Sequence, residues 1–410
     1  MSAEPSRRRA VRVPAAPGPP APEPPVERQP GIWRIRSHAV ARQVLTARGA
    51  TSQAGFTSEH VPTGFLKHHP ILFSDGPQHD EQRRKVGRYF APAVVRERYG
   101  QVMDDAADAL VTDAVGRGRC RVDEIALLYS VEVTRQVVGL TESSIEGLAG
   151  RLVKFFNQPP FDITQPDLGR TRRQWAMAAV NGLGPIARFH LADVRPAIRA
   201  RRRERRTDVI SHLLDEGYTT ADILVECLTY GTAGMVTTRE FIAMALWHLT
   251  SDPTLLRRYL GGDQSQRLAL LEEVIRLEPV VGHLYRRVQQ PLEVADAGQT
   301  WRFAPGDLLD LDVGAANLDP AAMGADPGLL CPGRSLAKGV HAAGLSFGDG
   351  AHRCPGQPMA LLETDVLLVR LLAENPVIIT EPRVEWDDLV AGYCLRGFEV
   401  GFSAATASPR

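Results

Sequence analysis

Apolar positions recur with helical spacing through most of the chain, and alternate with strand spacing mainly in its last third. The stretch from Gly31 to Thr46, GIWRIRSHAVARQVLT, reads as a short strand followed by an amphipathic helix. The Gly/Ser/Thr-rich segment up to Gly64 reads as loop. After Asp75 a turn signal leads into acidic and then basic residues, the charge order that suits a helix macrodipole, so a helix is expected from Pro77 to about Phe90. Several helical patterns follow between Arg96 and Arg206, interrupted near Pro159-Pro160 and at Asp167-Leu168-Gly169. Thr220 to Leu249 is apolar through most of its length and bounded by a possible Thr cap and by Asp252-Pro253. Such a helix would be roughly 45 Å long at about 1.5 Å per residue, enough to cross the whole domain.

A helix around Leu268–Leu277 precedes short strand patterns in YRRVQQPLEV and TWRFAPGDLLDLDV. The chain then runs through a long Gly/Pro-rich stretch to Leu345, and loops of that length are usually functional. A last helix is predicted from Pro355 to about Ala373, and RVEWDDLV and RGFEVGFS read as strands. With no repeat or heptad array, the fold class is mainly α with a minor β-sheet region.

Composition narrows the picture. The 410 residues are long enough to close a core around a buried cofactor, and 48 basic against 48 acidic residues argue against a general nucleic-acid binder. Residues 1–30 are rich in Pro and Arg and nearly free of large apolar side chains, so a disordered tail is expected there. No internal linker divides the rest, and residues 31–410 are read as a single domain. The start lacks the apolar core of a secretory signal and no segment has about 18 uninterrupted apolar residues, so a cytoplasmic protein without membrane insertion is expected. Five scattered cysteines, without CxxC spacing, give neither a disulfide framework nor a zinc ribbon.

One of them carries the chemistry. In Phe347-Gly348-Asp349-Gly350-Ala351-His352-Arg353-Cys354-Pro355-Gly356, glycines six and four residues before Cys354 permit backbone excursions that other residues resist. At the N-terminus of a helix, Cys354 would face free amides and the positive dipole end, which favour a thiolate. Spacing alone leaves open a structural cysteine, a nucleophile, a metal-bound thiolate, and half of a His352/Cys354 metal site. Two further pairs have helical spacing: Glu273 with Arg276, and His79 with Arg83.

The whole string resembles the haem-binding loop of the cytochrome P-450 family, Phe-Gly-x-Gly-x-His-x-Cys-x-Gly, at every fixed position. The resemblance runs from Trp33 to Phe402, densely after Thr220 and thinly between Arg96 and Arg206. It implies that fold, with haem b held between the long central helix and the Cys loop. Cys354 would be the metal ligand, with Phe347, Gly348 and Gly356 shaping the loop around it. It also implies that Glu273, Arg276 and a downstream Arg334 lock the loop behind the haem. His79, Arg83, His352 and either Arg286 or Arg287 would grip the propionates. Ala233 and Gly234 resemble the oxygen-binding groove, and Thr237 takes the place of the threonine that supports dioxygen. Where the usual member carries an acid just before this threonine, the chain has Val236, which cannot move a proton. Water or the substrate would then complete the relay through Thr237 or Thr238, or the enzyme would run a slower or different chemistry.

The activity so implied is a monooxygenase using O2 and electrons ultimately from NAD(P)H, delivered by a ferredoxin or flavodoxin and its reductase. Its substrate would be a partly hydrophobic small molecule of secondary metabolism, hydroxylated or oxidatively coupled. A basic docking surface for the donor is expected at Arg84, Lys85, Arg88 and Arg353. Substrate contacts are expected from residues 51–72, from Phe155, Phe156 and Phe161, and from Tyr230, Ala233, Met235, Val281, His283, Leu284 and Tyr393. Three alternatives accompany this reading: substrate-assisted coupling, a peroxide-using enzyme, and a haem-thiolate sensor or carrier without turnover. Arg239, two residues past Thr237, is expected to point away from the groove, which weighs against the peroxide reading.

Overall fold

The computed structural model describes residues 23–55, 64, 66–156, 158–159 and 161–402. Helices dominate, and the longest run crosses the middle of the helical core as expected. It starts at a capping box, in which the Thr219 side chain accepts from the Asp222 amide and Asp222 accepts from the Thr219 amide. It continues as Thr220–Gly231, widens into a π-turn at Thr232–Val236, and resumes as Thr237–Ser251. At that turn Gly234 is needed for packing, because a Cβ there would lie 2.8 Å from Thr134 Oγ1 on the neighbouring helix Val122–Val138. The closing helix runs Gln357–Ala373, two residues later than predicted, because Pro355 and Gly356 belong to the turn that delivers Cys354.

The main sheet has five strands in the order Val26–Gln29, Ile32–Ile35, Leu308–Asp312, His283–Val288, Thr51–Ala54. Ile32–Ile35 runs parallel to Leu308–Asp312, and the other pairings are antiparallel. Two of these strands depart from expectation. Val26–Gln29 falls inside the expected tail, yet pairs with Ile32–Ile35 in register Val26↔Ile35 and buries Val26. Thr51–Ala54 falls in the expected loop, and is held as an edge strand by pairing with His283–Val288. Arg119–Arg121, Val377–Thr380 and Gly392–Arg396 were also not predicted as strands; Arg119–Arg121 and Val377–Thr380 both flank Glu399–Gly401. A second apolar cluster, with Ile35, Val44, Leu309 and Leu345, packs the helix His38–Thr46 against this sheet. No described helix is long and apolar enough to cross a membrane.

Candidate active site

The Cys354 loop is a tightly bonded turn. The Gly348 amide donates to the Leu345 carbonyl and the Cys354 amide to the Phe347 carbonyl, both at 2.8 Å. Gly350 has φ 67°, and a Cβ there would sit 2.3 Å from the Leu45 carbonyl oxygen, so only glycine fits. Asp349 anchors the turn by accepting from the Gly350 amide at 2.7 Å and from Arg42 at 2.7 Å. The amides of Gly356 and Gln357, opening the last helix, are directed at the Cys354 thiol. Protein packs around this thiol, yet the residue keeps accessible surface, and the space beside it is called the void below. Burial pushes the thiol pKa up, while the Gly356 amide, Arg83, the Gln357 amide and Arg353 pull it back.

Basic side chains gather beside the loop, and not all of their polar atoms are matched. His79 is 1% exposed, its Nε2 has no hydrogen-bond partner, and its ring stacks on His352 at 4.2 Å. Burial, with His352 and Arg83 nearby, lowers the His79 pKa to about 4. His352 is tied through Nε2 to Asp75 at 2.9 Å. Arg83 donates to the Arg353 carbonyl beside the cysteine, and interacts with both Cys354 and Tyr230. Arg286 is buried on Gln53 Oε1 and the Tyr285 carbonyl; among the described residues no carboxylate pairs with it, and burial lowers its pKa to about 10. An anionic group would complete this cradle. Of the two arginines considered for it, Arg287 lies on the other face of the strand and donates to the Gly306 carbonyl at 3.1 Å.

The π-turn of the central helix carries the next residues of the expected site. Ala233 is exposed although it sits mid-helix in the core, and the Thr237 hydroxyl donates back to the Ala233 carbonyl at 2.5 Å. Val236 is buried, and Thr238 turns away from the void to hydrogen-bond Glu363 on the last helix. Glu363 is 2% exposed, its Oε2 has no partner, and burial raises its pKa to about 8. Arg239 is sequestered by Glu240, which accepts from it at 2.7 Å and also takes Arg396.

Behind the loop, Glu273 accepts two hydrogen bonds from Arg276 at 2.6 Å and one from Arg334 at 3.3 Å. Arg276 also holds the Asn317 carbonyl at 2.7 Å, and Arg334 reaches the carbonyls of Met323, Ala325, Asp326 and Leu329. A cytochrome P450 family model matches residues 268–386, the span from this triad through the Cys loop.

Residues 268–386 belong to the cytochrome P450 family.

Among similar proteins are the erythromycin C-12 hydroxylase of Saccharopolyspora erythraea, 28% identical over 84% of this chain and 82% of its own length. Cytochrome P450 CYP199A2 of Rhodopseudomonas palustris is 29% identical over 73% of this chain and 68% of its own. The solved structure of a P450 EryK mutant with erythromycin B aligns at TM-score 0.76 and 24% identity over 94% and 95% of the two chains. The hydroxylase HmtN aligns at 0.74 and 23% over 94% of each. The chain is therefore a P450 monooxygenase, of a family whose members bind haem through a thiolate. The residues present suit such a group: an accessible thiol inside the protein, a glycine-built turn beneath it, an orphaned His79 Nε2 and an uncompensated Arg286.

The P450 fold separates the expected substrate contacts. Tyr230 packs beside Phe90 at 6.2 Å with its hydroxyl buried and unpartnered, near Arg83. Leu284 faces the Cys loop, 3.9 Å from where a Gly348 Cβ would be. Met235 is fully buried in the helical core against Gly231, and Tyr393 is fully buried with its hydroxyl on the Glu278 carbonyl; both are packing residues. His283 and Phe161 line a common cavity. Val281 bridges to Gly392, and Phe155 and Phe156 pack edge-to-face at 5.9 Å. Of the expected loop 51–72, residues 56–63 and 65 lie outside the described residues. Its later part is pinned to the central helix, where Asp222 accepts from the Lys67 amide and Glu226 from the Ile71 amide, each at 2.9 Å. Sequence reasoning missed Asp222, Glu226 and Glu363; the available signal was a carboxylate at an apolar-face position of a helix.

Proposed function

We propose that Cys354 is the haem ligand of a monooxygenase that hydroxylates a partly hydrophobic small molecule of secondary metabolism, with electrons from a separate ferredoxin or flavodoxin. The observation that carries this reading is the accessible Cys354 in a glycine-built turn, with Ala233 exposed on the π-turn, His79 Nε2 unpartnered, Arg83 on the Arg353 carbonyl and Arg286 without a carboxylate among the described residues. The bound haem would supply O2 activation and hydrogen abstraction, one oxygen atom entering the substrate and the other leaving as water.

The protein's own groups supply position and protons. The amides of Gly356 and Gln357 stabilise negative charge on the Cys354 sulfur. His79, Arg83 and Arg286 hold the propionates, with His352 held against His79 by Asp75. Ala233 leaves room at the π-turn, and Tyr230 and Leu284 border the substrate space. Val236 carries no proton, and Glu363 on the last helix, which holds one at neutral pH, takes the Thr238 hydroxyl on the side away from the void. With Thr238 engaged there, a proton for the Thr237 region of the groove would come through water or the substrate. Arg84 and Arg88 are exposed on the helix that touches the Cys loop, a surface suited to an acidic electron donor. Lys85 is already neutralised by Glu81 and Glu216 and contributes less.

Hydroxylation is favoured over coupling by two similar proteins, the erythromycin C-12 hydroxylase and HmtN, described as a post-tailoring hydroxylase in himastatin biosynthesis. The sequestered Arg239 argues against a peroxide-using groove. The test is a screen of candidate small molecules for displacement of the iron-bound water by spectral shift, followed by turnover of the hit under isotopically labelled O2. Hydroxylation predicts one labelled oxygen atom in the product. A coupled product without label would overturn it.

A further inference from the structure

The helical run after the turn at 161–170 presents one whole side to solvent. It opens on a capping box between Thr171 and Gln174, runs as Arg172–Phe189, widens at His190–Val194 and ends as Arg195–Arg203, helical throughout. At about 1.5 Å per residue the run is roughly 48 Å long. Its inner side is packed: Phe189, Val194 and Ile198 are buried in the larger core. Its outer side carries Val180 and Leu183, which at 73% and 67% are the two most exposed large apolar side chains among the described residues. Met177 and Leu191 are exposed beside them, with Gly184 and Ala187 between. Single exposed apolar residues need no explanation, but four in one stripe mark a contact surface.

Cations bracket the stripe. Arg172 and Arg173 stand at its start, Arg188 beside it, and Arg195, Arg199 and Arg202 beyond it; all six are exposed and none has a carboxylate partner among the described residues. The one acid of the run, Asp193, is buried and taken by Arg151. In a chain whose 48 basic and 48 acidic residues balance, this face has a single sign. An apolar centre inside a charged rim is the anatomy of a protein interface, and this rim is complementary to carboxylates. A second copy does not supply them: two such helices packed antiparallel about Leu183 and Gly184 would set Arg172 against Arg195. A bilayer suits the face less. Val180, Leu183, Ala187, Leu191, Arg195 and Arg199 follow one another at helical spacing, so cations share the apolar line and do not flank it, and no aromatic anchor is exposed there.

We propose that this face docks an acidic helix of a partner protein, apolar at its centre and bearing carboxylates at its ends. The proposal stands on these residues and not on the haem reading. The probe is a synthetic helix of about 20 residues with Leu along one face at its centre and Glu at both ends, and its control carries Lys for every Glu. Fluorescence anisotropy with the haem-loaded full chain should show the Glu peptide binding, at least about tenfold more weakly once salt screens exposed charges, and the Lys peptide not binding. The double variants Arg195→Glu, Arg199→Glu and Val180→Gln, Leu183→Gln, changed only at exposed positions, should each weaken the Glu peptide at least about tenfold with an unchanged melting temperature. No binding of the Glu peptide, equal binding of the Lys peptide, or full affinity in either double variant would overturn the proposal. So would a dimer in sedimentation that Leu183→Gln dissolves, which makes the occupant a second copy. Co-sedimentation with phosphatidylglycerol vesicles that the same double variants abolish would overturn it in favour of a lipid surface.

Discussion

Glu363 shows what a single residue contributes when no water reaches it. Its carboxyl has an unpartnered oxygen and a pKa raised by burial to about 8. Because the folded value exceeds the ordinary 4.5, its contribution to stability is fully present below pH 4.5 and is lost as pH rises through about 8. Glu363→Gln should therefore melt less pH-dependently over that window, and higher than the parent at its alkaline end. The infrared carbonyl band of a buried protonated carboxyl, present in the parent at neutral pH, should disappear. A parent without that band, or identical melting profiles, would contradict the assignment. At this scale the sequence was legible where a residue's role is local: the glycines around Cys354 and the His79–Arg83 spacing are turn and helix facts. It was silent where a role depends on a distant neighbour. Nothing near Met235 or Tyr393 in the chain says that each is enclosed by other elements, and strand alternation alone could not choose between Arg286 and Arg287.

Elements join through buried charge. Glu273 and Arg276 share a helix, but their work is to hold the loops at Asn317, Cys331 and Arg334 against it. Arg276 is 0% exposed, so removing its partner strands a charge inside the protein. Glu273→Gln should cost about 3–5 kcal/mol in denaturant unfolding of the intact chain. A loss under about 1 kcal/mol would show the pair to be dispensable. The helical elements were readable because their apolar faces repeat within each segment. The strands Thr51–Ala54, Arg119–Arg121 and Val377–Thr380 were not, since short polar strands acquire their conformation from partners far along the chain. The π-turn at Thr232–Val236 was equally hidden: the Ala233-Gly234 pair is visible, but the widened hydrogen bonding arises where the central helix packs on Val122–Val138.

For the molecule as a whole, the main sheet joins strands from the start of the described chain to the two at His283–Val288 and Leu308–Asp312, and the central helix threads the larger core. In the proposed reading this arrangement sets the Cys354 loop, the His79 helix and the π-turn, scattered over most of the sequence, around one haem site. The measurement that bears most directly on that account is haem binding by Cys354→Ala beside the parent chain, each reconstituted, reduced and exposed to carbon monoxide. The account predicts that the parent takes up haem and shows the thiolate-type absorption band, and that the variant loses that band and holds haem more weakly. Haem bound as tightly by the variant, with the same absorption band, would contradict it.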